Sequence, residues 1–212
     1  YKLDFDGRRV YELKTNELID DYSDLEEFID ILNNTSVEDF PEVLEPVFNV
    51  NLYLKALAVE IITSHWDNYA FNKNNFYLYK NTKTGKFDYL PYDVDNTFGI
   101  DWFGITWAER NIYTWYNEYE NRPLTKRLLQ NSDYRRRFSF YVDLLLDEYF
   151  VYSEMSDKID EIKTMITPSA EDDYYRTLDY GWDIDDFNNS YTQALGDHVK
   201  SGLKPYISTR IS

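Results

Sequence analysis

Cysteine is absent from the 212 residues of this chain, and histidine occurs only twice. The chain therefore has no disulfide, no thiolate metal site and no cysteine nucleophile, and a histidine-rich zinc site is disfavoured. Glycine is scarce as well: seven are spread along the chain, and none forms the GxGxxG cluster that cradles a nucleotide phosphate. Any metal chemistry must therefore use oxygen ligands.

Positive charge is also in short supply. The 22 Lys and Arg face 39 Asp and Glu, which gives a formal net charge of −17. A chain this acidic repels a phosphate backbone, so we expect no nucleic-acid partner. No apolar run approaches the roughly 18 to 20 residues that a spanning helix needs, so we expect no membrane span. The 43% hydrophobic content is nevertheless ample for one buried core.

The hydrophobic pattern predicts a mostly helical α+β protein with two short β-hairpins. Alternation around Asp6 and Gly7 predicts a hairpin over residues 1–14, and a second one has strands over 76–79 and 87–92. Ser23 is the expected cap of the first helix. Because no repeat or composition break appears, we expect a single domain over residues 1–212. Helical spacing predicts helices over 23–34, 49–65, 123–129, 132–150, 154–166 and 199–211.

The stretch from His65 to Gly99 contains the side chains best suited to chemistry. A polar loop follows the helix over 49–65, and the second hairpin returns the chain to a further polar cluster. Because a hairpin makes its two strand ends neighbours, we expect the two clusters to converge. Converging oxygen donors suit Mg²⁺, Mn²⁺ or Ca²⁺. The residues of these clusters are Asp67, Asn72, Asn74 and Asn75 in the first and Asp93, Asp95 and Asn96 in the second.

The spacing of these residues is typical of phosphoryl transfer. That reaction uses one Asp to orient the attacking hydroxyl, and an Asn with a further Asp to hold the metal on the nucleotide phosphates. His65, Asp67 and Asn72 have the His-x-Asp-x4-Asn spacing of the kinase catalytic loop, and Asp93-x-Asp95 is similar to the kinase metal-binding loop. His65 then braces the loop, because the carboxylate already provides the base.

Six short segments carry a resemblance to a known family. With them the chain resembles the CotH family of secreted and spore-coat protein kinases over essentially its whole length. The resemblance implies an atypical kinase-like fold that transfers the γ-phosphate of ATP to Ser or Thr of extracellular or spore-coat proteins. The segments are Tyr11-Glu-Leu-Lys-Thr-Asn16, His65-Trp-Asp67, Asn75-Phe-Tyr-Leu-Tyr79, Pro91-Tyr-Asp93-Val-Asp95, Thr97-Phe-Gly99 and Pro123-Leu-Thr-Lys-Arg-Leu-Leu129.

The resemblance also implies residue roles. Asp67 falls at the catalytic-loop aspartate, and Asp93 looks like the principal metal ligand with Asp95 in support. Asn75 matches the family's metal-side asparagine while Asn72 matches the generic kinase spacing, so both stay candidates. The implied cofactor is Mg²⁺ or Mn²⁺, with Ca²⁺ as a third candidate, and the implied partners are ATP as co-substrate and a coat or secreted protein as acceptor.

The predicted hairpin of roughly 14 residues ahead of the first helix is too small for the N-terminal lobe of a kinase, which carries the Lys that contacts the ATP phosphates. We therefore expect the chain to be the C-terminal lobe of such a protein, with the N-terminal lobe outside it. The expected location is extracellular or in a spore coat.

Other interpretations compete with the kinase. Asp93-Val-Asp95-Asn-Thr97 also matches the Asp-x-Asp-x-Thr signature of haloacid-dehalogenase-type phosphatases, but Pro91 disfavours the central parallel strand that this motif follows. A non-catalytic structural or partner-binding module is the stronger alternative. The acidic region 171–186 lacks EF-hand spacing and predicts a solvated face. The Trp- and Tyr-rich stretches favour core packing over a stacking platform for sugars or peptides.

Overall fold

The computed structural model describes residues 11–178 and 181–212. Within these residues the protein is mostly helical, with one two-stranded antiparallel sheet and two short 3₁₀ helices, Trp107–Glu109 and Ile112–Thr114. The predicted α+β class is confirmed. The elements are α1 Ser23–Asn34, α2 Phe40–Leu44, α3 Val50–Ile62, α4 Tyr69–Asn72, β1 Phe76–Asn81, β2 Lys86–Pro91, α5 Pro123–Gln130, α6 Ser132–Glu148, α7 Tyr152–Glu171, α8 Ile184–Asn189 and α9 Leu203–Arg210.

The described residues divide into two compact units. Unit 1 contains the residues up to 61 together with 65–95 and 111–141, and unit 2 contains 62–64, 96–110 and 142–212. The single domain over residues 1–212 stays a prediction. The first polar cluster belongs to unit 1 together with Asp93 and Asp95 of the second, whereas Asn96 belongs to unit 2.

The hairpin of β1 and β2 is the centre of unit 1. Its strands pair antiparallel from Phe76 with Pro91 to Asn81 with Lys86. Gly85 has a φ of +71°, a conformation that glycine adopts without the steric cost of a Cβ, and its N–H closes the turn on the Asn81 carbonyl at 2.8 Å. One face of the hairpin is buried against aromatic rings of the helices and loops. These ring contacts join Phe28 to Phe48 and Phe87, Tyr53 to Tyr89, and Tyr69 to Phe76.

Helix α1 forms where the sequence predicts it. Phe28, Ile29 and Leu32 lie on the face that the unit 1 core covers, and each is almost fully buried. The expected cap is wrong by one residue, because Ser23 is already helical and Tyr22 occupies the capping position. The helix has no side-chain cap at this position, and the Asp21 carboxylate accepts only its first N–H, that of Ser23, at 2.9 Å.

Helix α3 is shorter and less uniformly buried than its apolar sequence predicts. It ends at Ile62 rather than His65, because Ser64 takes a φ of +56° and the chain turns. Val59 is 48% exposed although it is apolar, whereas Glu60 is only 3% exposed. Residue type alone therefore predicts the wrong face at these two neighbouring positions.

In unit 2 the buried carboxylate of Asp101 organises the loop that follows it. The N–H groups of Phe103, Gly104 and Ile105 donate to it at 2.9 to 3.2 Å, as does the indole nitrogen of Trp107 at 2.9 Å. Lys200 Nζ lies 2.7 Å from the same carboxylate. Burial alone would raise the pKa of Asp101, but the hydrogen bonds from Lys200 and these N–H groups hold it below its usual value.

The rest of unit 2 packs around Tyr206 of α9. The Tyr206 hydroxyl donates to the Ile62 carbonyl at 2.8 Å and also contacts the Ser64 hydroxyl. Its ring meets Phe98 edge-on at 5.6 Å. Pro205 interrupts the predicted helix over 199–211, so α9 begins at Leu203 and carries Pro205 in its first turn, where a missing N–H costs nothing.

The structure also bears on other predictions made from the sequence. The hairpin over residues 1–14 lies mostly outside the described residues, and its described part, 11–14, forms no strand. Helix α7 runs to Glu171, past Ile166, where the prediction ended it. Trp107 and Trp115 are core residues, whereas Tyr174 and Tyr175 are exposed. No described helix is long and apolar enough to cross a membrane.

Candidate functional site

The carboxylate of Asp67 is the centre of the polar loop after α3. Asn72 Nδ2 donates to Asp67 Oδ1 at 2.5 Å, and Asn75 Nδ2 donates to Asp67 Oδ2 at 2.9 Å. Asn74 Nδ2 lies 3.4 Å from both oxygens. Asp67 is half-buried, Asn72 is exposed, and Asn74 and Asn75 are half-buried. The predicted catalytic aspartate and both candidate asparagines therefore belong to one hydrogen-bonded cluster.

The four-residue helix α4 carries Asn72 at its end, with Asn74 and Asn75 in the turn that follows, and the helix is held at both ends. At its start, Asn68 Oδ1 accepts the N–H of Phe71 at 3.0 Å, which is a standard N-cap. At its end, Arg122 donates from Nε to the Ala70 carbonyl at 3.1 Å and from a terminal nitrogen to the Phe71 carbonyl. Isolated helices this short are unstable in water, so these two partners determine where the asparagines lie.

An ion-pair cluster follows α4. Glu120 pairs with Arg122 at 3.1 Å and with Lys73 at 3.3 Å, and Lys73 has a φ of +55°. Arg122 beside Glu120 is the main reason that the pKa of this carboxyl lies below its usual value, and Lys73 adds to the effect. The cluster fixes the turn between Asn72 and Asn74 in a conformation that a lysine rarely adopts.

The backbone that leads into the second polar cluster lies beside Asn75, while the predicted convergence of the carboxylates stays a prediction. Tyr92 N–H donates to the Asn75 carbonyl at 2.9 Å, one step beyond the last paired residues of the sheet. Asn75 and Asp93 both have a positive φ, +51° and +47°. Residues held in this conformation are costly and concentrate at functional sites. The backbones of Asn75 and Asp93 thus lie at one end of the hairpin.

Asp93 and Asp95 are exposed and do not take part in the asparagine bonds to Asp67. Over residues 11–178 and 181–212, no three Asp, Glu or His side chains are grouped closely enough to hold a metal ion by themselves. That absence does not bear on a metal site made of two carboxylates and asparagine amide oxygens. The metal-ligand roles of Asp93, Asp95, Asn75 and Asn72 therefore stay predictions.

The chemistry of these donors fits a hard divalent cation. An asparagine that donates through its nitrogen still has its amide oxygen as an acceptor or ligand, and this holds for Asn72 and Asn75. The carboxylates of Asp93 and Asp95 are accessible and carry the negative charge that Mg²⁺ or Mn²⁺ requires. The residues present thus form a suitable oxygen donor set.

Glu60 and Asn68 are residues of the candidate site that the sequence prediction missed, whereas Asn74 was placed in the polar loop without a role of its own. Asn68 Nδ2 donates to Glu60 Oε2 at 2.8 Å, and the Tyr89 hydroxyl donates to Glu60 Oε1 at 3.0 Å. Burial raises the pKa of Glu60 to about 8, although both hydrogen bonds oppose this shift. The available signal was that Glu60 is the one acidic residue of the apolar helix α3.

The phosphatase interpretation of Asp93-Val-Asp95-Asn-Thr97 is contradicted by the sheet. That motif needs a strand of a parallel sheet, whereas β2 pairs antiparallel with β1 and the two make up the sheet of the described residues. The calcium interpretation of 171–186 gains no support either, because Asp183 accepts the N–H groups of Asp185 and Asp186 and caps α8.

Known proteins share this arrangement of segments. The CotH kinase protein family matches residues 4–210. Inner spore coat protein H of Bacillus subtilis is 29% identical over 169 residues, which cover 80% of this chain and 44% of that protein. Invasin CotH2 of Rhizopus delemar is 23% identical over 199 residues, which cover 85% of this chain and 32% of that protein.

Invasin CotH3 of the same fungus is 22% identical over 193 residues, which cover 84% of this chain and 31% of that protein. The chain thus spans less than half the length of these curated relatives. The family match extends over nearly every residue of the chain and includes all five predicted site positions. This protein belongs to the CotH kinase protein family.

Proposed function

We propose that this chain carries the acceptor-orienting and metal-holding residues of a phosphotransferase that moves the γ-phosphate of ATP to Ser or Thr of a protein. The observation that supports this most is the Asp67 carboxylate, which the Asn72, Asn74 and Asn75 amides hold while the hairpin brings Asp93 to the same end. Family membership supports it as well. In the proposed arrangement the chain forms the C-terminal lobe of a kinase-like protein.

The residues would divide the reaction between them. Asp67 accepts a hydrogen bond from the acceptor hydroxyl and orients its oxygen toward the γ-phosphorus. As the new P–O bond forms, the bond from phosphorus to the β,γ-bridging oxygen breaks, ADP leaves, and the hydroxyl proton passes to Asp67. Asp93 and Asp95, with Asn75 or Asn72, would hold Mg²⁺ or Mn²⁺. The bound ion would neutralise the charge of the nucleotide phosphates.

The test is titration calorimetry of Mg²⁺-ATP and Mn²⁺-ATP into the full-length protein, combined with transfer of labelled γ-phosphate to a protein acceptor. We expect wild type to bind the nucleotide and Asp93→Ala to lose binding while it remains folded. Asp143→Ala removes an exposed carboxylate of α6 and is the matched control, with unchanged binding. Unchanged nucleotide binding in Asp93→Ala would contradict the metal assignment.

The second candidate is a structural or partner-binding module without chemistry. The names of the relatives favour it, because one is a spore coat protein and two are invasins. In either case we propose a spore coat or an exposed surface as the location. Nucleotide binding separates the two functions, since a scaffold does not need ATP. A folded full-length protein that binds neither Mg²⁺-ATP nor Mn²⁺-ATP would favour the module.

A further inference from the structure

The buried carboxyl group of Glu60 is an unusual residue for its place in the fold. It lies in the last turn of the apolar helix α3 and is 3% exposed. An apolar side chain there would avoid the free-energy cost of burying a carboxyl group. Its two oxygens accept hydrogen bonds from different elements, one from Asn68 in the polar loop and one from Tyr89 in β2.

Asn68 is the residue through which Glu60 reaches the candidate site. Its side-chain oxygen accepts the Phe71 N–H at 3.0 Å, and its backbone carbonyl accepts the N–H groups of Asn72 at 3.0 Å and Asn74 at 3.3 Å. Because Asn68 Nδ2 donates to Glu60, the amide is fixed with its oxygen toward Phe71. If the amide rotated by 180°, its NH₂ group would face the Phe71 N–H and the cap of α4 would be lost.

In the sequence, Asn68 lies between Asp67 and the asparagines that donate to it. Asp67 precedes it directly, and the asparagines that donate to Asp67 follow within seven residues. We infer that Glu60 is a positioning residue, which fixes Asn68 and through it holds Asp67 and its asparagines in place for the acceptor hydroxyl and the metal. The catalytic purpose of this arrangement rests on the proposed function, whereas the fixing of the loop does not.

A role in core stability alone makes a different prediction. The Tyr89 hydroxyl bonds to the same carboxyl group but belongs to the hairpin, so Tyr89→Phe removes one hydrogen bond of Glu60 and leaves the bond to Asn68 intact. If Glu60 only stabilises the core, Tyr89→Phe and Glu60→Leu affect the Asp67 loop equally. If Glu60 positions the loop, only Glu60→Leu does.

Four variants of the full-length protein make the test: Glu60→Leu, Glu60→Gln, Tyr89→Phe and Asn68→Ser. Glutamine keeps an oxygen that accepts from Asn68 and offers an NH₂ group to the Tyr89 hydroxyl oxygen, so it is the conservative rescue. Serine keeps a capping oxygen for α4, but its shorter side chain has no group at the position of Asn68 Nδ2, which donates to Glu60, so it repeats the test if Glu60→Leu does not fold. The first readout is hydrogen exchange at the amides of Phe71, Asn72 and Asn74, referenced to the Tyr92 amide at the end of the hairpin.

In Glu60→Leu, or in Asn68→Ser if the former does not fold, we expect these three amides to exchange roughly tenfold faster than the reference amide. Glu60→Gln and Tyr89→Phe should keep wild-type ratios. In the phosphotransfer assay the same loss should lower kcat by roughly tenfold or more with little change in the KM for ATP, and glutamine should restore kcat.

Wild-type exchange ratios in a folded Glu60→Leu or Asn68→Ser would overturn the inference, as would equal acceleration in Tyr89→Phe. If the full-length wild type transfers no phosphate, the proposed function fails, and the exchange ratios alone decide whether Glu60 holds the loop. The two failures therefore produce different results.

Discussion

The loops around Asp101 and Asp67 are each built on one aspartate, but the donors around the two carboxylates differ. Asp101 is 1% exposed, and backbone N–H groups, an indole nitrogen and the Lys200 cation surround it. Asp67 is half-buried, and within the described chain its donors are the amides of Asn72, Asn74 and Asn75.

This difference separates a structural carboxylate from one that can react. Backbone donors, an indole nitrogen and the ion pair with Lys200 leave the buried carboxylate of Asp101 no lone pair for another molecule. The donors to Asp67 are side chains in and just after a short helix, which can rotate and which carry oxygens of their own. An exposed edge with adaptable donors is what a site needs in order to admit a hydroxyl group and a cation.

The largest expected effect compares the same substitution at the two aspartates. Asp101→Asn removes the charge opposite Lys200 and places an NH₂ group against N–H donors, so we expect a loss of about 3 to 5 kcal/mol in the free energy of unfolding. Asp67→Asn should cost less than about 1 kcal/mol, because the site is half-exposed. Urea unfolding of both variants measures the difference. Equal losses would show that the contrast between the loops is wrong.

Glu60 is a third carboxyl group, buried between Asn68 and Tyr89, and its raised pKa predicts a dependence of stability on pH. Its pKa is about 8 in the folded protein and 4.5 without the fold, so unfolding releases a proton between these values. Stability should therefore fall as pH rises through this window, by up to about 1.4 kcal/mol per pH unit. Glu60→Gln should remove this slope in urea unfolding between pH 5 and 8. An identical slope in the variant and in wild type would disprove the assignment, and Asp143→Asn is the exposed control.

A smaller effect is expected at the cation beside Asp101. Lys200→Met should cost about 1 to 2 kcal/mol at neutral pH, because the remaining N–H donors still hold the carboxylate and Lys200 is partly exposed. The pKa of Asp101 is lowered, so the stability from this pair is present at neutral pH and is lost as pH falls through that folded pKa.

Acid titration followed by circular dichroism measures that loss, which Lys200→Met should weaken. The matched control is Lys158→Met, which breaks an exposed pair with Glu161 at 2.8 Å and should change stability by less than about 0.5 kcal/mol. If both lysine variants have the same effect, burial of the partner carboxylate does not matter.

The smallest effects on stability belong to the two asparagines that compete for the metal role. We expect a loss below about 0.5 kcal/mol for Asn72→Ala, which is exposed, and of about 1 kcal/mol for Asn75→Ala, which is half-buried. Asn75 lies at the same end of the hairpin as Asp93. Removal of the Asn75 amide should therefore weaken Mn²⁺-ATP binding by roughly tenfold or more. A larger affinity loss in Asn72→Ala, measured by calorimetry, would assign the role to Asn72.

Local pattern was sufficient for much of this structure. The apolar spacing of α1 and the turn between β1 and β2 depend on residues close in sequence, and both form where they were predicted. The spacing from Asp67 to Asn72 and Asn75 likewise predicted a cluster that the structure brings together. In each case the interaction that decides the outcome spans fewer than about ten residues.

The predictions that failed concern segments held by residues distant in sequence, or local structure of an uncommon kind. Helix α4 is too short to show a period, and its C-terminal partner Arg122 lies about fifty residues away. Helix α7 continues past Pro168 because this residue loses only its own N–H bond, while its carbonyl still accepts the Asp172 N–H at 3.1 Å. The acidic segment was read by its charge, although Asp183 and Asp186 have the spacing of a capping box.

The dependence of α4 on Arg122 also has a consequence for how the protein is made. A chain leaves the ribosome from its N-terminus, so Asp67, its asparagines and the whole hairpin emerge before the guanidinium group that holds the Ala70 and Phe71 carbonyls. Until residue 122 is free of the ribosome, α4 lacks this partner. The candidate site is therefore completed only after Asp67, its asparagines and both strands of the hairpin have left the ribosome.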